Sequence, residues 1–289
     1  MIRYWCFFGA ACSSLFACGS VSDQQSPGAS GAAGASSAAS AAGAASGGTG
    51  NAPSADQCPG SPTPLASGTS GVMLPVQIVG AGAPITTGQV VTPSVGTPYK
   101  LSLLKFYFSS PVLLESDGSR VPAQLVLANA TPRPYGIALV DLDDSASQSI
   151  TIAGPAGDYA GLELGVGLPP SCNDADPTTH AFPLNTDSDM YWTWGSQYMF
   201  IRVEGSLEGN GVWSSFALHV GYQQAYRAAQ VMGALHLLPG ASAPPTLRLD
   251  VDRLLNAPLG ADTSGADSHE APDEWVADNV ANGALTLVP

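Results

Sequence analysis

Beyond residue 57 the chain breaks into short apolar runs rich in Val, Leu, Ile and aromatic residues, each closed by Gly, Pro, Asn or Asp. The runs are Val76 to Val79, Tyr99 to Ser109, Pro111 to Leu114, Ala123 to Leu127, Gly136 to Leu142, Ser149 to Ile152 and Gly161 to Val166. They continue as Tyr198 to Glu204, Ser215 to Val220, Gln230 to Leu238, Thr246 to Val251 and Ala284 to Val288. Leu247-Arg-Leu-Asp-Val-Asp252 alternates strictly between apolar and polar, as a strand with one solvated face must. Many short strands with turn residues between them predict an all-β fold, a single β-sandwich or barrel-like domain with long loops. Asp117-Gly118 marks a hairpin-like turn. The period changes only from Ala271 to Gly283: Pro272 and acidic residues open a first turn, Trp275, Val276 and Val280 recur at helical spacing, and Gly283 stops it. That stretch predicts one short C-terminal helix.

The first 57 residues follow neither period. Residues 1–17 place one Arg before an apolar run too short to span a bilayer, which reads as an export signal. Its end, Leu15-Phe16-Ala17-Cys18, resembles a bacterial lipobox, so Cys18 is expected to carry the lipid. Residues 18–57 are nearly all Ala, Gly and Ser and have too little apolar surface to offset the entropy of folding. They are expected to be a passive tether with a reach of about 35 Å. The folded domain is then 58–289, held at the periplasmic face or the outer-membrane surface of the cell envelope through the lipid alone.

Charge and cysteine usage narrow the classes. With 9 Lys and Arg against 23 Asp and Glu, and a net charge of −14, the chain lacks the basic surface that phosphate backbones need, so no nucleic-acid partner is expected. Of five cysteines, Cys6 and Cys12 leave with the signal and Cys18 is lipidated. Cys58 and Cys172 remain, and in an oxidising compartment they are expected to pair.

Candidate chemistry concentrates between Ser171 and Gly205, a long polar loop that ends as a strand. If Met190 to Trp194 is extended, Trp192 and Trp194 share one face of a sheet, as packing or as a site. The four histidines are His180, His219, His236 and His269, with neither HxH nor HExxH spacing. His219, in Phe216-Ala-Leu-His-Val-Gly221, is either a half-buried hydrogen-bonded side chain or a ligand. Asp141, Asp143, Asp144, Asp250 and Asp252 match no calcium loop and read as strand edges and turns. No nucleophile elbow or phosphate-cradling Gly loop is present.

Met190-Tyr-Trp-Thr-Trp-Gly-Ser-Gln-Tyr-Met-Phe-Ile-Arg-Val-Glu-Gly205 resembles the M-[FY]-W-x-W block of the MbnP-like family, periplasmic or surface proteins often encoded beside a di-haem cytochrome peroxidase called MbnH. Weaker matches follow in order: Leu104 to Ser109, Gly157 to Leu162, Gly165 to Pro169, Asn173 to Asn185, His219-Val-Gly221, Leu247 to Asp252 and Ala277 to Asn279. The resemblance implies copper binding by a protein that is not itself an enzyme. A Trp, here Trp192 or Trp194, is oxidised to kynurenine by the partner cytochrome and joins His ligands. It carries His219 over as a ligand. Many members have a His after the Asn that Asn173 matches; here Asp174 stands there, and His180 is the nearby substitute. The alternatives are a metal-free module that holds a glycan or protein through Tyr191, Trp192 and Trp213, and a hydrolase using the Asp-rich loop.

Overall fold

The computed structural model describes Cys58 and residues 62–195, 197–238, 243–256, 267–268 (backbone alone) and 274–289. The expected signal, the lipidated Cys18, the tether, Pro272 and His269 lie outside the described residues. In chain order the strands are β1 (Thr69–Gly80), β2 (Ala83–Pro84), β3 (Tyr99–Leu114), β4 (Arg120–Pro122), β5 (Gln124–Val126), β6 (Ile137–Asp141), β7 (Ser149–Pro155), β8 (Gly157–Val166), β9 (Tyr191–Trp192), β10 (Gln197–Gly209), β11 (Val212–Gly221), β12 (Arg227–Leu237), β13 (Thr246–Asp250), β14 (Asp267–Ser268) and β15 (Leu285–Val288). Helices α1 (Pro170–Asn173), α2 (Val251–Leu254) and α3 (Glu274–Asn279) are short.

Two sheets result, and neither closes into a barrel. One runs β15-β13-β1-β7-β5 with β2 on β1; the other runs β12-β8-β3-β10-β11-β14, with β4 and β6 on β3 and β9 on β10. Strand β3 organises the second sheet. Phe106 is paired with both Ile201 and Val140, and Phe108 with both Val166 and Ala138. One edge of β3 therefore holds β10 and then β8, while the other holds β6 and then β4. Leu74, Val76 and Ile78 of β1 alternate with more exposed neighbours. They share one apolar core with Ile150 and Ile152 of β7, Leu104, Phe106 and Phe108 of β3, and Ile201 and Val203 of β10.

Local departures from the period have identifiable causes. Tyr99 to Ser109 and Pro111 to Leu114 are one strand, not two: Ser110, at φ 46°, forms a bulge that shifts the register with β8 between Ser109 and Val112. The last alternating strand stops at Asp250, because its carboxylate accepts from Asp252 N at 3.0 Å and Arg253 N at 3.3 Å and so caps α2. Asp117 accepts from Ser119 N at 2.8 Å with Gly118 at φ 87°, the expected turn between β3 and β4. The C-terminal helix α3 runs into a wide turn over Val280–Ala284, where Gly283 adopts φ 117°.

Cys58 and Cys172 are joined in a disulfide that ties Cys58 to α1. The loop that follows is tied to the second sheet by main-chain carbonyls: Tyr107 OH donates to Pro183 O at 2.8 Å and Tyr198 OH to Leu184 O at 2.5 Å. Leu184 and Met190 are buried in the process. The stretch 174–190, with little regular structure, is thereby fixed against β3 and β10, between α1 and β9.

Candidate functional site

Strands β10 and β11 meet through the turn Asn210-Gly211, whose residues have φ 52° and 80°, the backbone that two-residue hairpins favour. That turn sets Gly209 opposite Val212 and, counting back, Glu204 opposite Ala217 and Arg202 opposite His219. Phe216, Leu218 and Val220 are buried in the core. Alternation puts Ala217, His219 and Gly221 on the opposite face. The register continues sideways, so that Asp141, Lys105, Arg202 and His219 stand in a row across β6, β3, β10 and β11.

This row is a charge network. Lys105 Nζ is 3.3 Å from Asp141 Oδ2. Glu204 Oε1 accepts from Arg202 Nε at 2.7 Å and from His219 Nε2 at 2.8 Å. Arg202 also donates to the main-chain oxygen of Asp189 at 2.9 Å and to its carboxylate, which ties the long loop to the strand. Burial alone would raise the Glu204 carboxyl, but the hydrogen bonds from His219 and Arg202 outweigh it and hold the group below its ordinary range. Ala217, directly opposite Glu204, leaves room for the carboxylate to lean toward His219.

The tryptophans sit beside this row. Strand β9 pairs Trp192 with Gln197 and Tyr191 with Tyr198, so the chain reverses immediately after Trp192, and Gly195 N returns to Trp192 O at 3.3 Å. The expected extended stretch to Trp194 is therefore a turn, and strand alternation does not place the second indole. The rings are still neighbours, with centroids 5.7 Å apart at 40°. Their environments differ: Trp192 is 3% exposed and Trp194 60%. Tyr222, at φ 63°, also packs on Trp192, with ring centroids 5.1 Å apart at 35°.

Trp192 lies against Gly221. A Cβ on Gly221 would come within 2.4 Å of Trp192 Cζ3 and 2.5 Å of Cη2. Gly221 is two residues along β11 from His219, so the indole rests on the face that carries the imidazole, one side-chain spacing of about 7 Å away. Trp192 Nε1 is buried and has no hydrogen-bond partner among the described residues, which costs about 1–3 kcal/mol for such a donor. Asn173 accepts from Tyr198 N at 3.3 Å, and Asp174 accepts from Gln197 Nε2 at 3.0 Å. Both residues thus hold the β9–β10 hairpin.

His180 is placed elsewhere. Its Nδ1 is 2.7 Å from Asp176 O and its ring packs on Tyr135 at 5.0 Å. None of these contacts reaches β11 or Trp192. His236 pairs with Asp158 at 2.6 Å, on β12 and β8. Among the described residues no group of three or more His, Cys, Asp or Glu side chains is arranged to hold a metal ion. What they bring together is one imidazole and one buried indole N–H that has no hydrogen-bond partner among the described residues. The aromatics do not form one recognition platform: Tyr191 packs edge-on against Tyr198, and Trp213 lies near the hairpin tip under Lys100 Nζ, 4.6 Å from its ring.

The parts of this site that the residue types alone did not single out are Glu204, Arg202, Gly221 and Tyr222. The Asn-Gly turn was the available signal for the first two, since it dictates which residues of β10 face His219.

A two-sheet β domain with paired indoles beside a strand imidazole is the class of protein that this fold and site define. A profile of the MbnP family matches residues 69–271, and the chain belongs to that family. Among solved structures, the chain is similar to MbnP from Methylosinus trichosporium at 18% identity and a TM-score of 0.49, over 72% of this chain and 87% of that one. No curated protein matches.

Proposed function

We propose that this protein is an exported, lipid-anchored member of the MbnP family that binds copper on the face shared by β10 and β11. His219 supplies an imidazole, and Trp192 supplies a second donor once a partner di-haem cytochrome of the MbnH type has opened its indole to kynurenine. The protein is the substrate of that partner, not an enzyme, and Cys18 anchors it in the cell envelope. The observation that carries the reading is the buried Trp192 nitrogen, which has no hydrogen-bond partner among the described residues and lies beside the face of His219. Opening the indole turns a nitrogen that can only donate a hydrogen bond into an aryl amine beside a ketone, and both can act as metal donors. Trp192 fits this role better than Trp194, because it is buried and its indole carbons are the nearest side-chain atoms to a Cβ on Gly221.

Coexpression with the cytochrome, followed by intact-mass and tandem mass spectrometry, tests the modification and locates it. Trp192→Phe keeps aromatic packing but cannot be opened, and with His219→Ala it should abolish tight copper binding while the fold survives. His180→Ala should bind as the parent does, and His269→Ala asks whether a second imidazole comes from outside the described residues. Parent-like copper binding by both Trp192→Phe and His219→Ala would sink the proposal.

A further inference from the structure

Which nitrogen of His219 faces a metal is decided by its neighbours. Glu204 Oε1 lies 2.8 Å from His219 Nε2 and 2.7 Å from Arg202 Nε. A guanidinium nitrogen only donates, so Oε1 is already an acceptor. A proton on Oε1 directed at His219 would crowd the guanidinium N–H beside it, whereas a hydrogen on His219 Nε2 completes a second bond to the same oxygen. Neutral imidazole carries one hydrogen, so placing it on Nε2 leaves the lone pair on Nδ1.

We infer that Glu204 is a positioning residue: it holds His219 as the Nε2–H tautomer and makes Nδ1 the nitrogen it offers to a metal, the metal half of this inference resting on the copper reading above. The carboxylate is held in place for this task. Arg202 grips its Oε1 and is itself fixed through Asp189, and the small side chain of Ala217 lets Glu204 reach diagonally across the strand pair. Carboxylates that accept from the second ring nitrogen orient metal-binding histidines in this way, and losing them typically costs about 10- to 100-fold in metal affinity.

The test uses the full chain, coexpressed with the partner cytochrome and labelled with ¹⁵N-histidine, metal-free at neutral pH, with His219 assigned by its loss in His219→Gln. Two-bond ¹H–¹⁵N spectra should show Nε2 protonated and Nδ1 bare. Glu204→Gln keeps a carbonyl oxygen facing Arg202 and His219 and should keep the tautomer; Glu204→Leu should lose the preference. Adding Cu(I) alone should move the Nδ1 resonance while the Nε2 hydrogen persists. Competition with a Cu(I) chelator should give a loss of about 10- to 100-fold for Glu204→Leu and near-parent affinity for Glu204→Gln. An Nδ1–H signal in the parent overturns the inference. So does an unchanged tautomer in Glu204→Leu, or movement of Nε2 on metal addition. If Glu204→Leu does not fold, the parent and Glu204→Gln spectra still decide the tautomer. If the tautomer is as expected and His219 ignores Cu(I), the copper reading is overturned and the tautomer assignment is supported.

Discussion

Substituting Gly221 with Ala tests whether the indole is seated on β11 as described. An added Cβ would meet Trp192 Cζ3 at 2.4 Å, Cη2 at 2.5 Å and the main-chain oxygen of Tyr198 at 2.6 Å. All three are far inside normal contact, and the last is backbone, so a side-chain rotation cannot relieve it. Gly221 is not among the residues at positive φ, so the penalty is steric and not conformational. Overpacking of this kind costs about 1–3 kcal/mol. In a domain of this size each kcal/mol moves Tm by about 2–4 °C, so a fall of about 5 °C is expected. Gly209→Ala is the matched control, because a Cβ there meets nothing within 4 Å. The assay is thermal unfolding together with acrylamide quenching of tryptophan fluorescence. Gly221→Ala should be less stable and more readily quenched, as Trp192 is levered off the sheet, whereas Gly209→Ala should match the parent. Equal stability and quenching in the two variants would refute the seating of Trp192 on Gly221.

Two further outcomes are expected. Hydrogen bonds from Arg120 hold the Glu163 carboxyl below its ordinary range, so its contribution is present above the unfolded pKa and is lost as pH falls through the folded one. Glu163→Gln should cost about 1 kcal/mol at neutral pH. That difference from the parent should shrink as pH falls below the ordinary glutamate range, and a gap that stays constant in urea unfolding as the pH is lowered contradicts the assignment. Removing the disulfide, by Cys58→Ala with Cys172→Ala, opens a loop with a sequence separation of 114. The chain-entropy model puts the loss at about 4–5 kcal/mol; a denaturation midpoint within error of the parent would show that the bridge constrains nothing in the unfolded chain.

The strands were legible because a half-solvated strand must alternate, as Thr246–Asp250 does in its burial. What periodicity could not see was conformation at single residues. Ser109-Ser110-Pro111 looks like a break between strands, yet one residue at φ 46° absorbs the irregularity and β3 continues. Trp192 and Trp194 look like a same-face pair, yet the chain must reverse to set Gln197 opposite Trp192, so one indole is buried and the other exposed. The pairing of Glu204 with His219 was hidden for a different reason. It depends on cross-strand register, which no single strand pattern contains. The Asn210-Gly211 turn does contain it, and counting outward from that turn reaches the pair without coordinates.

The register also explains how two donors from different elements meet. From the Asn-Gly turn to Ile201 and Val220 the pairing of β10 with β11 is regular; the next paired residues are Met199 and Gly221, so Phe200 is an extra residue on β10 alone. Below that point the register sets Arg202 opposite His219 with Glu204 within reach of both. Beyond it β10 bends into the β9 hairpin, which carries Trp192 back over Gly221. A flush ladder would have paired Phe200 with Gly221 and sent the hairpin onward along the sheet. The extra residue thus sets Gly221 opposite Met199 instead of Phe200, and Gly221, which presents no side chain, is what lets the Trp192 indole come to rest there.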